Sequence, residues 1–600
     1  MSMTFLNKLT WAASLLVAAP LAFAGYRLET VELPPNSASI EIFSVTFSPD
    51  GHLYVANRRG EIWKADRDGK NWSRFASGLH EPLGLLVESE RVAYVMQRPE
   101  LTRVEDTDGD GVADTVTMVA DNWGITGNYH EFPYGLKRDK EGNFLGALGL
   151  SSGGQREFSA MKLARGPVQK DQVRQEQQWS VVPYRGWSFK VTPAGEFIPW
   201  SHGFRQAVGI GASPEGEFFV VDTQGDWVAS SGLIHNKQGG FFGHPASRKW
   251  IPGGAPAIES DEALAQTRTP WAVMLPHGAV GISPGEPVWD TSAGRFGPFH
   301  GQVFIGDFSN LISRVFMEKI AGEYQGAAFP FFRHKDLRMG NMRMAFSPDG
   351  VLYMGQASWG SGQGLQRLVW DGKAPVEVQA IKLGDRGFSL EFTAPMNRGM
   401  LAKADSYFVK RFRYLYHEKY GSPRIDEVPV KIRDLKVAAD GRRVEMAVED
   451  LKPGHVYEFQ LDHLTTDSGE MLGNATGFYT LNRLLNGERF AGPFTKALLT
   501  RKQGEQMAAI DTAAGKLVYQ KFCMACHLEN GTGGGVAADF ANDKNRLAKS
   551  DTELMRSIKL GFEGAKMVMP PFGSVLSEPE IRNVLAYIRE AFDPLRARGR

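Results

Sequence analysis

The hydrophobic positions of this chain change period twice. From about residue 26 to 372 they come in short apolar runs of strand length, each entered through a tight polar turn. Phe47-Ser48-Pro49-Asp50-Gly51-His52-Leu53-Tyr54-Val55 and Phe346-Ser347-Pro348-Asp349-Gly350-Val351-Leu352-Tyr353-Met354 are nearly the same phrase. Looser copies fall at 138–145, 213–220 and 301–307, with a further strand run at 92–96. Pro-Asp-Gly and Pro-Glu-Gly make tight turns between strands, because Pro presets one backbone angle and Gly tolerates the left-handed one. From about 374 to 484 the pattern becomes alternation, at 376–381, 387–392, 443–448 and 457–461. From about 505 it turns helical, over 510–522, 553–560 and 578–592, the last with Ile581, Val584, Leu585 and Ile588 on one face.

Repeated short sheets joined by such turns predict a β-propeller. The six turn-and-strand units predict six blades over 25–373, with seven as the alternative if 189–199 belongs to a further, irregular blade. Insertions at 151–180 and 239–270 are rich in Gly, Pro and charge and read as long loops, which on a rigid scaffold often build binding sites. The alternating stretch 374–484 predicts a small β-sandwich, immunoglobulin-like, carrying no catalytic constellation and serving to position the next domain. Residues 485–504 read as a linker and 505–600 as an all-α domain. At the N-terminus, Lys8, an apolar run over 9–21 and Ala22-Phe23-Ala24 before Gly25 predict a signal peptide over 1–24. The run is short for a span and Pro20 interrupts its end, so the expectation is cleavage, export and no membrane span afterwards.

A length of 600 residues suits three or four domains. Lys and Arg balance Asp and Glu at 68 each and there is no basic tract, which argues against nucleic acid as a partner. The 67 glycines and 11% aromatic content favour a turn-rich β protein over most of the length.

The helical domain carries the sharpest chemistry. Cys523-Met524-Ala525-Cys526-His527 is the attachment signature of a c-type haem. Two thiols three residues apart can each add to a haem vinyl group, and the adjacent His lies under the iron. A thioether from Met569, in Met569-Pro570-Pro571-Phe572, can supply the second axial ligand; Met567 is the rival. These are the chain's 2 cysteines. A zinc site would need two more ligands at regular spacing, and a thioredoxin-like motif a βαβ context; neither is present. Helix, haem motif, Met-Pro loop and terminal helix together resemble a monohaem class I cytochrome c. The resemblance implies one covalent haem c, with thioethers at Cys523 and Cys526 and with His527 and Met569 axial. Export agrees with this, since bacteria attach c haem outside the cytoplasm, and points to the periplasm.

A cytochrome needs an electron source. The repeats and insertions of the propeller, with His130-Glu131-Phe132-Pro133-Tyr134-Gly135-Leu136 running into a charged turn and Gly203-Phe204-Arg205-Gln206, resemble the quinoprotein glucose and sorbosone dehydrogenases. Those are six-bladed enzymes that carry pyrroloquinoline quinone (PQQ). The resemblance implies His130 as general base for a substrate hydroxyl, a step suited to an imidazole. It also implies Arg205 against a quinone carboxylate, and Gln206 where that family has Asn. Asp222-Thr223-Gln224-Gly225-Asp226-Trp227 occupies the region of cofactor and calcium contacts, so Gln224 is a candidate cofactor contact. The segment departs in sequence from the quinoproteins and is closer to a broader group of secreted propeller–cytochrome proteins.

Separately, Asp106, Asp108, Asp110, Asp114 and the carbonyl of Val112 stand at positions 1, 3, 5, 9 and 7 of a calcium-type loop. Thr117 replaces the bidentate Glu of an EF-hand, so the expected site is a structural Ca²⁺ loop between blades. His277 and Arg333-His334-Lys335 are further candidates for lining a substrate pocket, with surface positions near a blade edge as the alternative, and Lys335, Arg338 and Arg343 are candidate anion partners for a quinone or an acidic substrate. Together these features predict a periplasmic oxidoreductase. Its propeller oxidises a sugar, alcohol or aldehyde with PQQ, and its haem passes the electrons to an external acceptor such as another cytochrome or a quinone pathway. The alternative is an electron-transfer or binding protein whose propeller is a non-catalytic docking module for carbohydrate or protein.

Overall fold

The computed structural model describes residues 22–23, 25–34, 41–153, 164–169, 178–357, 364–489, 511–533, 539–542, 547, 551–564, 567–569, 571–573 and 575–592. The expected leader lies almost wholly outside the described residues, as does 490–504 of the expected linker. The chain forms two compact units, Met1–Lys496 and Ala497–Arg600.

In the first unit the recurring phrases become six antiparallel units of four strands, one phrase to each: four are separate sheets, one carries Ala22–Phe23 as a fifth strand, and one is half of an eight-stranded sheet. Their first strands are Ile42–Phe47, Gly84–Ser89, Pro133–Arg138, Gly209–Ala212, Pro284–Trp289 and Arg343–Phe346. Each packs against the next, and the sixth returns to the first. The sheets are therefore the blades of a six-bladed β-propeller. Residues 189–199 are the third and fourth strands of blade 3, not a seventh blade. The insertion at 151–180 separates them from the first two.

Second strands such as Leu53–Asn57, Phe144–Leu148 and Leu352–Gln356 are buried at every position. They lie between neighbouring blades, so both faces are apolar and the sequence shows a continuous run rather than alternation. Six apolar clusters fill the gaps between consecutive blades. The last joins Val31, Tyr353 and Leu365 of blade 6 to Ile42, Val45, Leu53 and Val55 of blade 1. Tyr26–Val31 supplies the outer strand of blade 6, pairing over its whole length with Gly364–Trp370. In the turns, Gly51 and Gly350 hold φ of +92° and +83°. Ser48 and Ser347 each accept a hydrogen bond from the amide four residues on, at 3.0 and 3.1 Å.

Eight strands from Val378 to Leu481 form two facing sheets, in the order 1-2-6-5 and 8-7-3-4. Phe388 of one sheet meets the rings of Tyr457, Phe459 and Tyr479 of the other at 5.0–5.2 Å. The second sheet is continuous with blade 5: Gly326, Ala327 and Ala328 pair with Thr480, Tyr479 and Phe478.

In the second unit, Thr512–Val518 leads through a wider turn at Tyr519–Cys523 into Met524–His527, followed by Asp551–Leu560 and Glu578–Phe592. The four residues expected on one face of the last helix are all buried, in a core shared with Tyr519, Cys523 and Ile558. The first and last helices cross at Gly515, where a Cβ would stand 2.0 Å from the carbonyl oxygen of Asn583. Gly515→Ala is expected to destabilise this unit by about 1–3 kcal/mol through overpacking, read as a lowered midpoint when unfolding of the full chain is followed at the haem band.

Candidate functional site

A cavity of about 470 Å³ opens where the innermost strands of all six blades begin. Phe43, Leu83, Phe132, Val208, Ile282 and Met342 stand at or just before those starts, one from each blade, so the cavity lies at the propeller axis. His130, Arg205, Gln206 and His277 line the same cavity, with Glu41, Arg58, Arg343, Tyr129, Tyr134 and Tyr420.

The segment carrying His130 is held from several sides. Arg98 donates to the carbonyls of Asn128 and Tyr129 at 3.2 and 2.7 Å and lies 4.2 Å over the ring of Phe132. Glu81 pairs with both Arg98 and Arg58, and Arg58 also pairs with Glu41 at 2.9 Å. Glu131, next to His130 in sequence, is fully buried and accepts hydrogen bonds from the Thr126 amide and hydroxyl and the Ser151 hydroxyl at 2.5–2.7 Å. Behind it, the buried Arg185 donates to the Glu131 carbonyl at 2.9 Å; burial pulls its guanidinium down to about 10. The His130 Nδ1 is hydrogen bonded to the Ser152 hydroxyl. Charge-assisted bonds of this kind fix a loop more firmly than neutral ones.

Arg205 and Gln206 begin the turn into blade 4. The fully buried Asp222 carboxylate accepts from the amides of Arg205, Gln206 and Thr223 at 2.8, 2.7 and 2.9 Å. Burial pushes this carboxyl above the usual range, against the pull of those amides and of the Arg205 charge. The Arg205 Nε is buried without a hydrogen-bond partner, and so is the Thr223 hydroxyl. The Gln206 amide, in contrast, is committed to the protein. It accepts from the Tyr134 hydroxyl at 3.0 Å and donates to the carbonyl of Leu150 at 2.6 Å. Burial pushes the Tyr134 phenol up to about 12. Gln224 is not among the cavity's lining residues; its amide donates to the Ala229 carbonyl at 3.1 Å.

Of the remaining candidates, Arg343 reaches the cavity, but its guanidinium donates to the carbonyls of Phe43, Val208 and Met342. Lys335 and Arg338 do not line it. Sequence reasoning missed Tyr420, which arrives from the sandwich with its ring 5.3 Å from the Arg205 guanidinium carbon. It also missed Tyr129 and Arg58, whose positions depend on the fold alone.

The Asp106–Asp114 loop does not lie between blades as expected: it joins the adjacent third and fourth strands of blade 2, at the end of the blade away from Leu83 and the cavity. Oxygens of Asp106, Asp108 and Asp114 lie within 4.8 Å of one another. Asp106 also accepts from the amides of Gly109 and Gly111 at 2.6 and 3.0 Å. Asp110 caps the Val112 amide at 2.8 Å and stands outside that group of three.

In the C-terminal unit Cys523 is buried and Cys526 exposed. The His527 ring stacks on Phe540, with centroids 4.3 Å apart. Met569 packs against the same apolar cluster as Cys523. It ends the short strand Met567–Met569. The side chain of Met567 lies outside the described residues.

Residues 511–588 match the family model of cytochrome c oxidase, cbb3-type, subunit III. Over 80 residues the chain is 36% identical to cytochrome c6 of a Synechococcus species, covering 13% of this chain and 70% of that protein. Over 83 residues it is 35% identical to cytochrome c-555 of Chlorobaculum tepidum, covering 13% of this chain and 76% of that one. The fold and these matches define a propeller protein with a C-terminal haem c domain. Through that domain the chain belongs to the cytochrome c family.

Residues 61–241 match a domain family of unknown function, DUF7133. Among solved structures, an oxidoreductase described as a glucose dehydrogenase from Thermus thermophilus aligns with 57% of this chain and 100% of its own, at 16% identity and a TM-score of 0.38. A PQQ-bound aldose sugar dehydrogenase from Streptomyces coelicolor aligns with 58% and 99%, at 15% identity and a TM-score of 0.34. Likeness at this level speaks to neither cofactor nor substrate, and the blade count rests on the strand pairing above. Among the described residues no helix is long and apolar enough to cross a membrane.

If the acidic loop holds calcium, a hundredfold excess of the ion over its Kd stabilises the folded chain by about 2–3 kcal/mol. Thermal unfolding of the full chain with calcium and with a chelator measures this. Asp106→Asn should remove the difference, and equal midpoints for the unaltered chain would leave the loop as a solvated turn.

Proposed function

We propose that this protein is a periplasmic dehydrogenase. Its propeller oxidises a sugar, alcohol or aldehyde, and the electrons pass to the haem c of its own C-terminal domain and on to an external acceptor. The observation that carries this reading is that His130 and Arg205, from different blades, line one cavity at the propeller axis. A proton acceptor and an anchoring cation are the two things such a reaction needs from the chain. The haem shares the polypeptide, which gives it a high effective concentration as acceptor.

The cavity fits a flat, anionic quinone. Arg205 presents a buried nitrogen without a hydrogen-bond partner. Phe43, Phe132, Ile282, Phe308 and Met342 supply apolar walls. Arg205 and Thr223 would hold PQQ there; bound, PQQ supplies acceptance of two electrons from a carbon bearing a hydroxyl. The chain's own part is to orient the substrate and take its proton. The imidazole of His130 receives the hydroxyl proton, with Ser152 fixing the ring through Nδ1. Gln206, satisfied by Tyr134 and Leu150, positions the strands around the site rather than contacting a ligand. In the haem domain, Cys523 and Cys526 would anchor a covalent haem c and His527 and Met569 would ligate its iron, which would supply one-electron transfer.

A second reading is favoured by the exposed rings of Tyr129 and Tyr420 at the cavity: the propeller binds a carbohydrate or protein and catalyses nothing. His130→Ala separates the two. Under the enzyme reading it lowers substrate-driven haem reduction by about a hundredfold or more while dithionite still reduces the haem fully. Unchanged turnover removes His130 from catalysis. For the haem, Met569→Ala is expected to lower the reduction potential in a spectroelectrochemical titration, because loss of the thioether removes the ligand that raises it. An unaltered potential would give the axial role to Met567.

A further inference from the structure

The loop between sandwich strands Phe408–Tyr414 and Arg424–Pro429 leaves its own domain and docks on the propeller. Trp227 donates its amide to the His417 carbonyl at 3.2 Å. The amides of Gly421 and Ser422 donate to the carbonyls of Gly225 and Ala229, each at 2.9 Å. Tyr416, only 2% exposed, packs on Trp227 at 5.0 Å and donates to the Gly243 carbonyl at 2.5 Å. The backbone of the loop is thus tied down on both sides of Tyr420. A Cβ at Gly421, whose φ is +64°, would meet the Gln224 amide at 2.9 Å, so the loop sits close.

Between these anchors the Tyr420 side chain is 63% exposed and lines the cavity. A fixed backbone presenting an uncovered aromatic ring gains little folding energy from that ring. It has the properties of a binding surface: large contact area, few rotatable bonds and low ordering cost on association. The guanidinium of Arg205, 5.3 Å from the ring, makes the same corner of the cavity polar.

We propose that Tyr420 is a substrate-specificity residue. The sandwich completes the propeller's cavity with an aromatic wall, on which the apolar face of a sugar or cyclic polyol stacks while its hydroxyls remain toward His130. The inference rests on reading the cavity as a sugar or alcohol oxidation site. It adds that ring-shaped substrates are preferred over short open-chain alcohols, and that the preference comes from the sandwich.

The test uses the full-length holoprotein, with haem reduction as the rate signal and calorimetric titration of the same sugars without turnover as the binding signal. Tyr420→Ala should raise KM for a cyclic sugar by about five- to tenfold with kcat within about twofold, and should leave an open-chain alcohol unaffected. Tyr420→Phe keeps the ring and should behave as the unaltered protein, and both variants should melt at the same temperature as it does. Unchanged KM and unchanged sugar affinity in Tyr420→Ala, in a protein that turns over, overturn the inference and leave the enzyme reading standing. An unaltered protein that binds sugar without oxidising it overturns the enzyme reading; the Tyr420 assignment then stands or falls on whether Tyr420→Ala weakens that binding.

Discussion

Ring closure is the constraint on which the rest of the large unit depends. Tyr26–Val31 completes the blade formed by Arg343–Phe346, Leu352–Gln356 and Gly364–Trp370, so the two ends of the propeller sequence lie in one sheet. Without that strand blade 6 loses its outer edge, and the cluster between blades 6 and 1 loses Val31. The six innermost strands then have no reason to converge, and the cavity at their starts has no floor. Joining such distant segments is slow but carries only a modest extra entropic cost, since loop-closure cost grows with the logarithm of length.

Much of this architecture was legible because blade packing leaves a local trace. Second strands buried on both faces are written as unbroken apolar runs, and the turns before several of them repeat Ser-Pro-Asp-Gly or a near copy. The blade count became ambiguous only at 189–199, where a long insertion divides blade 3 and removes the expected spacing. The change in composition near 374 marks a true change of strand order. It conceals that the sheet runs on from blade 5 into the sandwich: pairing of Gly326–Ala328 with residues some 150 positions later leaves no periodic signal.

The site divides in the same way. His130, Arg205 and the Cys523–His527 motif carry short-range patterns. Gln206 also stood in a recognisable motif, yet its amide is spent on Tyr134 and Leu150, something no motif can reveal. Tyr420 was invisible because it belongs to a segment with no chemistry of its own; only the docking of Tyr416, Gly421 and Ser422 on blade 4 brings it to the cavity. The positive lining, with Glu41 already paired to Arg58, leaves Arg205 as a cation whose buried Nε has no partner. A buried unpartnered donor is costly unless a ligand satisfies it; Arg138, Arg165, Arg268, Arg314 and Arg483 also bury such an Nε, and Arg205 differs from them in lining the cavity.

The most direct measurement is the visible spectrum of the oxidised, haem-loaded protein with calcium, with and without PQQ, as a panel of sugars, alcohols and aldehydes is added. The account predicts that one substrate class reduces the haem and that reduction depends on PQQ. A haem that dithionite reduces and no substrate touches would contradict it, and would leave the propeller as a binding module attached to a cytochrome c.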